Sequence, residues 1–110
     1  MSEPLIALAD AVAALPGPAG ERCVERFRHG SLVVELYAPR GHDPQSPHRR
    51  DELYVVVQGH GEFVCDGLRR RFGPGDALFV PAGVAHRFEA FSEDLAVWVM
   101  FYGPEGGETA

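Results

Sequence analysis

From Cys23 onward the chain breaks into short apolar runs separated by glycine, proline and aspartate, a pattern that predicts strands joined by tight turns. Strands are expected at Cys23 to Arg28, Leu32 to Ala38, Glu52 to Gln58, Glu62 to Cys65, Leu68 to Phe72, Ala77 to Val80, Ala85 to Ala90 and Leu95 to Phe101. His29-Gly30 and Asp66-Gly67 have the residues of hairpin turns, and Gly73-Pro74-Gly75-Asp76 reads as a further turn. The stretch from Pro39 to Pro47, rich in proline and glycine, reads as a loop. Only the N-terminal segment changes period. Leu5, Leu8, Val12 and Leu15 recur at helical spacing, Pro4 sits where a first turn tolerates it, and Pro16-Gly17-Pro18 stops it. The chain therefore divides into an amphipathic helix and linker over 1–20, a β domain over 21–103, and a glycine-bearing tail over 104–110 that is expected to fray.

Side chains alternate faces along a strand, so an inward Glu52 places Tyr54, Val56 and Gln58 on its own face and Leu53, Val55 and Val57 on the other. Both faces are largely apolar, and something must cover the outer one. The N-terminal helix would do so, as would a second subunit. The latter predicts a homodimer in contact through the outer faces of Leu53 to Val57 and Leu95 to Phe101. In Ala85 to Ala90 the alternation puts His86 and Phe88 together, opposite Arg87 and Glu89.

Composition narrows the class. A chain of 110 residues, 45% of them hydrophobic, can fill one core without disulfides. Its formal net charge of -6 argues against nucleic acid as a partner. The basic clusters Arg49-Arg50 and Arg69-Arg70-Arg71 read as solvated turn and strand-edge charges, or alternatively as anion steering toward a barrel mouth. Cys23 and Cys65 form no Cys-x-x-Cys pair and are expected reduced and partly buried, as in a cytoplasmic protein. No run is long enough to span a membrane, and the apolar Leu5 to Leu15 lacks the basic start of a signal peptide and is interrupted by Asp10.

Two stretches carry candidate chemistry, Gly41 to Gly59 and Gly75 to Ala90. They contain His48, Glu52 and His86 at spacings that can bring all three to one metal ion. Here the chain resembles the cupins. The family's second motif, Gly-x5-Pro-x-Gly-x2-His-x3-Asn, is met by Gly75, Pro81, Gly83 and His86, with Ala90 in place of the final Asn. Its first motif, Gly-x5-His-x-His-x3,4-Glu-x6-Gly, is met by His48, Glu52 and Gly59, while Ser46 stands where the first His belongs and Gly41 lies one residue too close. The resemblance implies an all-β fold, a double-stranded β-helix or jelly-roll barrel, with the short N-terminal helix outside. It also implies that His48, Glu52 and His86 hold a divalent transition metal such as Fe, Mn, Ni or Zn and leave coordination positions open.

The residues themselves support a cation, because an unpaired carboxylate at Glu52, pointing inward from an apolar strand, would be costly to bury. The missing first His leaves three replacements open. Ser46 can orient a bound water, Gln45 can offer an amide oxygen, and His42 can swing in; Ser46 and Gln45 are expected just outside the coordination sphere. Tyr54, Phe63, Phe79, Phe88 and Trp98 are candidate pocket walls. His29, His42 and His60 otherwise read as surface residues of turns. The function expected is a metal-dependent enzyme of oxygenase, isomerase or lyase type acting on a small polar metabolite. The alternative is a non-catalytic module that binds or senses a small ligand, with or without metal. An independent acid or base beside the ligands, such as Glu35 or Tyr102, would discriminate between them.

Overall fold

The computed structural model describes residues 3–109. A short helix α1 (Leu8–Ala13) precedes strands β1 (Cys23–His29), β2 (Leu32–Tyr37), β3 (Asp51–Gln58), β4 (Gly61–Cys65), β5 (Leu68–Phe72), β6 (Ala77–Val80), β7 (His86–Glu89) and β8 (Ala96–Tyr102). Every strand begins and ends within one residue of its expected boundary, because glycine and proline set the turns. Asp66 and Gly67 both take positive φ, 51° and 77°, as a two-residue hairpin of this hand requires. The strands form two antiparallel sheets, ordered β1-β2-β8-β3-β6 and β5-β4-β7. β8 sits between β2 and β3, and β7 lies beside β4, so the chain crosses repeatedly between sheets as a double-stranded β-helix does.

The barrel core lies between the sheets. Tyr37, Tyr54, Val56, Val80, Val97 and Val99 of the larger sheet meet Phe63, Phe72 and Phe88 of the smaller one. Gly59 closes one end. At φ +90°, a side chain there would bring its Cβ to 2.7 Å from the Leu95 backbone, so only glycine fits.

Two aromatic residues expected to line the pocket lie elsewhere. On β8, Val97 and Val99 point inward, so Trp98 points outward and packs with Leu36, Ala38 and Ala96 beneath α1. On β6, Val80 is opposite Glu52 while Phe79 is opposite Leu53, which puts Phe79 on the outer face, half exposed. The helix itself is shorter than the expected 5 to 15. Its buried residue is Ala11, flanked by Leu8 and Leu15, while Leu5 and Val12 are exposed. Alanine at the contact lets the helix approach the sheet closely, and this turns Val12 away. Among the described residues no helix is long and apolar enough to cross a membrane.

The tail beyond β8 is tied to the barrel. Gly106 N–H donates to the Arg49 carbonyl, and the Asp51 carboxylate accepts from the Glu108 and Ala82 N–H groups, which hold its pKa below the ordinary value. Arg69 of β5 bridges Glu62 and Glu89, so this basic cluster forms part of a solvated strand surface.

Ala90 gives the departure from the second motif a physical meaning. Its φ is +48°, in the left-handed region that asparagine and glycine tolerate and alanine resists. We expect Ala90→Gly to stabilise the fold by about 0.5–1 kcal/mol, the relieved strain less the added unfolded-chain entropy. A raised urea midpoint with unchanged slope is the expected result, and a lowered midpoint would contradict it.

Candidate metal centre

Each of the three candidate ligands is aimed by the element that carries it. Glu52 enters the barrel from the start of β3, between Val80 of β6 and Phe101 of β8 in the sheet, and is completely buried. His86 opens β7 on the same inward face as Phe88, and its side chain is also sealed from solvent. His48 descends from the loop before β3, one turn ahead of Glu52, with its ring set edgewise on Phe101 at 5.1 Å between centroids. A third of its side chain remains exposed.

The ligand atoms of the three lie within 4.8 Å of one another. His86 Nε2 is 2.9 Å from Glu52 Oε1, and His48 Nε2 is 3.7 Å from the same oxygen. The shorter contact lacks the alignment of a hydrogen bond. Glu52 Oε1, Glu52 Oε2 and His86 Nε2 are all buried with no hydrogen-bond partner. His86 Nδ1 lies 2.9 Å from the Val84 carbonyl and must carry a proton to bond it. A neutral ring therefore turns the Nε2 lone pair toward the carboxylate. Two electron-rich groups facing each other in a dry interior repel, and either a proton on Nε2 or a cation between them removes the conflict. Burial pulls the His86 pKa down, but the Glu52 carboxylate, the Val84 carbonyl and the charge of Asp43 outweigh it and leave the ring above its ordinary 6.5. The donor set fits a divalent transition metal.

A second layer of polar groups supports the first. Asp43 is buried and accepts from Tyr37 OH, from Gln45 Nε2 at 2.9 Å and from the Phe88 N–H at 2.8 Å. Gln45 Oε1 accepts from Tyr54 OH at 2.9 Å and stands 3.1 Å from His48 Nε2. Burial, with Glu52 nearby, raises the Tyr54 phenol, which therefore stays protonated and acts as a donor. Tyr54 and Phe63 pack against His86, Phe88 packs in turn on both of them, and Tyr54 also donates a hydrogen bond to Gln45.

Ser46 and His42, two of the candidate replacements, are both exposed, and neither side chain hydrogen-bonds to the site. Asp43, buried beside them, was not singled out in the sequence, because an aspartate in a proline-rich loop gives no sign of its direction. Glu35 faces a cleft of about 360 Å³ shared with His48, Phe101 and Arg49, and accepts from the Cys23 thiol at 2.9 Å. Burial and Glu35 push the Cys23 thiol up, which keeps it a donor although the residue is largely exposed. Tyr102 follows the inward Phe101 and takes the other face. A second cleft of about 280 Å³, beside the smaller sheet, is lined by Gln45 and His86. A cleft of about 480 Å³ along Gly41 to Gln45 and Arg87 to Phe91 includes none of the three candidate ligands, while one of about 470 Å³ between Pro47 and Gly106 is lined by His48.

Comparisons with known proteins agree with the fold. The chain is 41% identical over 81 residues to an uncharacterized protein from Streptomyces coelicolor, covering 72% of this chain and 77% of that one. It is 33% identical over 80 residues to the dimethylsulfoniopropionate lyase DddQ of Ruegeria pomeroyi, covering 70% of this chain but only 40% of that protein. The crystal structure of DddQ superposes with a TM-score of 0.66 at 30% identity, over 80% of this chain and 48% of that one. The structure of KdgF from a Halomonas species gives a TM-score of 0.65 at 26% identity, over 76% of this chain and 78% of that one. The sequence profile of the cupin domain (Cupin_2) matches residues 33–102, and the chain belongs to this family.

Proposed function

We propose that this protein is a metal-dependent cupin enzyme that acts on a small polar metabolite, with His48, Glu52 and His86 holding one divalent transition metal. The observation that carries the reading is the orphaned trio of Glu52 Oε1, Glu52 Oε2 and His86 Nε2, all buried without a hydrogen bond although Oε1 and Nε2 lie 2.9 Å apart. Bound there, such an ion supplies Lewis acidity toward a carbonyl or carboxylate oxygen. Substrate is expected in the cleft of Arg28, Glu35, His48 and Phe101, since His48 is the exposed side of the centre. In that cleft Glu35, held by the Cys23 thiol, is the acid or base, and Tyr54 OH keeps Gln45 in place. A named lyase among the relatives supports a lyase-type reaction on an oxyacid. The second reading, a binding or sensing module, draws on the complete burial of Glu52 and His86, which leaves little room for turnover.

His86→Ala should lower zinc or cobalt affinity at least about tenfold and abolish any turnover of small oxyacids, while the far-ultraviolet spectrum stays that of the parent. Full metal occupancy in the variant would rule the site out. Gain of metal binding with no turnover in an aerobic and anaerobic screen would favour the sensing module.

Protons and metal compete for the same His86 lone pair, which fixes the pH dependence. In the metal-free protein the raised His86 pKa contributes stability that is fully present below the unfolded pKa and is lost as pH rises through the folded value. The metal-free melting temperature should therefore fall across that window, while the stabilisation conferred by zinc should grow. Parallel curves with and without zinc would contradict this coupling.

The outer face around Leu53, Phe79 and Met100 remains the proposed homodimer contact, since α1 covers only the part near Leu36 and Trp98. Light scattering at micromolar concentration should give twice the chain mass of 12.0 kDa; a monomer mass would count against the dimer.

A further inference from the structure

We propose that Gln45 is a fourth ligand of the metal, its amide oxygen taking the place left by the family's missing first histidine. This inference rests on the metal reading above. The amide is oriented at both ends. Gln45 Nε2 donates to the buried Asp43 carboxylate at 2.9 Å, and Oε1 accepts from Tyr54 OH at 2.9 Å, so the oxygen has no freedom to exchange places with the nitrogen. An amide oxygen has two lone pairs, and Tyr54 uses one. The other is directed toward His48 Nε2, 3.1 Å away.

That nitrogen is the His48 atom facing the other ligands, 3.7 Å from Glu52 Oε1. While Nε2 carries a proton, the contact with Gln45 is an ordinary hydrogen bond. Ligation requires that the proton leave, and the two lone pairs then face each other at a distance where only a cation bound by both relieves the repulsion. An ion arriving at His48 Nε2 thus meets Gln45 Oε1 as well. Gln45 also lines one cleft together with His86, while Glu35 lines a different one with His48. Ser46, at the motif position itself, faces solvent.

Charge favours the same arrangement. Asp43 and Glu52 are two buried carboxylates linked through Gln45 and its neighbours, with no buried lysine or arginine among the described residues. Polarised by Asp43 at its nitrogen, the amide becomes a more electron-rich oxygen donor. Asp43 in this account is a positioning residue.

The chain makes the test unusually clean, because Gln45 and Gln58 are its only carboxamide side chains and it contains no asparagine. With glutamine labelled at Cδ and Nε2, zinc saturation should move the Gln45 carbonyl carbon downfield, as coordination polarises the bond, while exposed Gln58 stays fixed as an internal reference. Gln45→Ala should weaken zinc at least about tenfold, Gln45→His should restore most of that loss, and Ser46→Ala should leave affinity unchanged. Zinc binding to the wild type with an unmoved Gln45 carbonyl carbon, or a Gln45→Ala affinity equal to wild type, would overturn the fourth ligand alone. Failure of the wild type to bind zinc at all would overturn the metal reading along with it.

Discussion

A carboxylate sealed inside an apolar barrel sets the terms for the rest of this structure. Leaving an ion of that size without a partner in such a place costs several kcal/mol even after relaxation, and Glu52 is fully buried with both oxygens unpartnered. The fold cannot relieve this with a lysine or arginine, since no such side chain is buried among the described residues. It offers instead a histidine whose other nitrogen is committed to a backbone carbonyl. The pair is therefore poised between two charge-balanced forms, one with a proton and one with a cation, and the proposed activity belongs to the second.

The surrounding architecture keeps that pair from relaxing. Phe63 from the smaller sheet and Tyr54 from the larger pack against His86, Phe88 backs both rings, and His86 Nε2 is left with no hydrogen-bond partner. Asp43 fastens the loop 39–50 to β7 through the Phe88 N–H, so the loop that delivers His48 and Gln45 is registered against the strand that delivers His86. Asp51, one residue before Glu52, secures the opposite flank by accepting from Ala82, next to the Pro81 and Gly83 of the second motif. Two aspartates outside the proposed ligand set thus hold the two motif segments together, and both act by accepting backbone N–H groups.

Strand positions were legible in the sequence because they are written locally: glycine, proline and Asp66-Gly67 mark where each run must turn. The pairing of His48, Glu52 and His86 was legible through motif spacing, and the inward direction of Tyr54 and Phe88 through alternation from Glu52 and His86. Trp98 and Phe79 were misplaced because their direction depends on register with β3, which no local pattern displays; once Glu52 pairs with Phe101 and Val80, both must point outward. The roles of Asp43 and the tail were hidden for a related reason. Loop side chains have no period, and the bonds from Glu108 to Asp51 and from Phe88 to Asp43 span 57 and 45 positions.

The orphaned atoms of Glu52 and His86 are placed to share a cation. A crystal structure of the protein grown with cobalt, with data collected on both sides of the cobalt absorption edge, tests this most directly. One anomalous peak is expected inside the barrel, about 2.0–2.2 Å from Nε2 of His48 and His86 and from a Glu52 oxygen. A barrel without that peak, in which His86 Nε2–H donates a well-aligned hydrogen bond to Glu52, would contradict it.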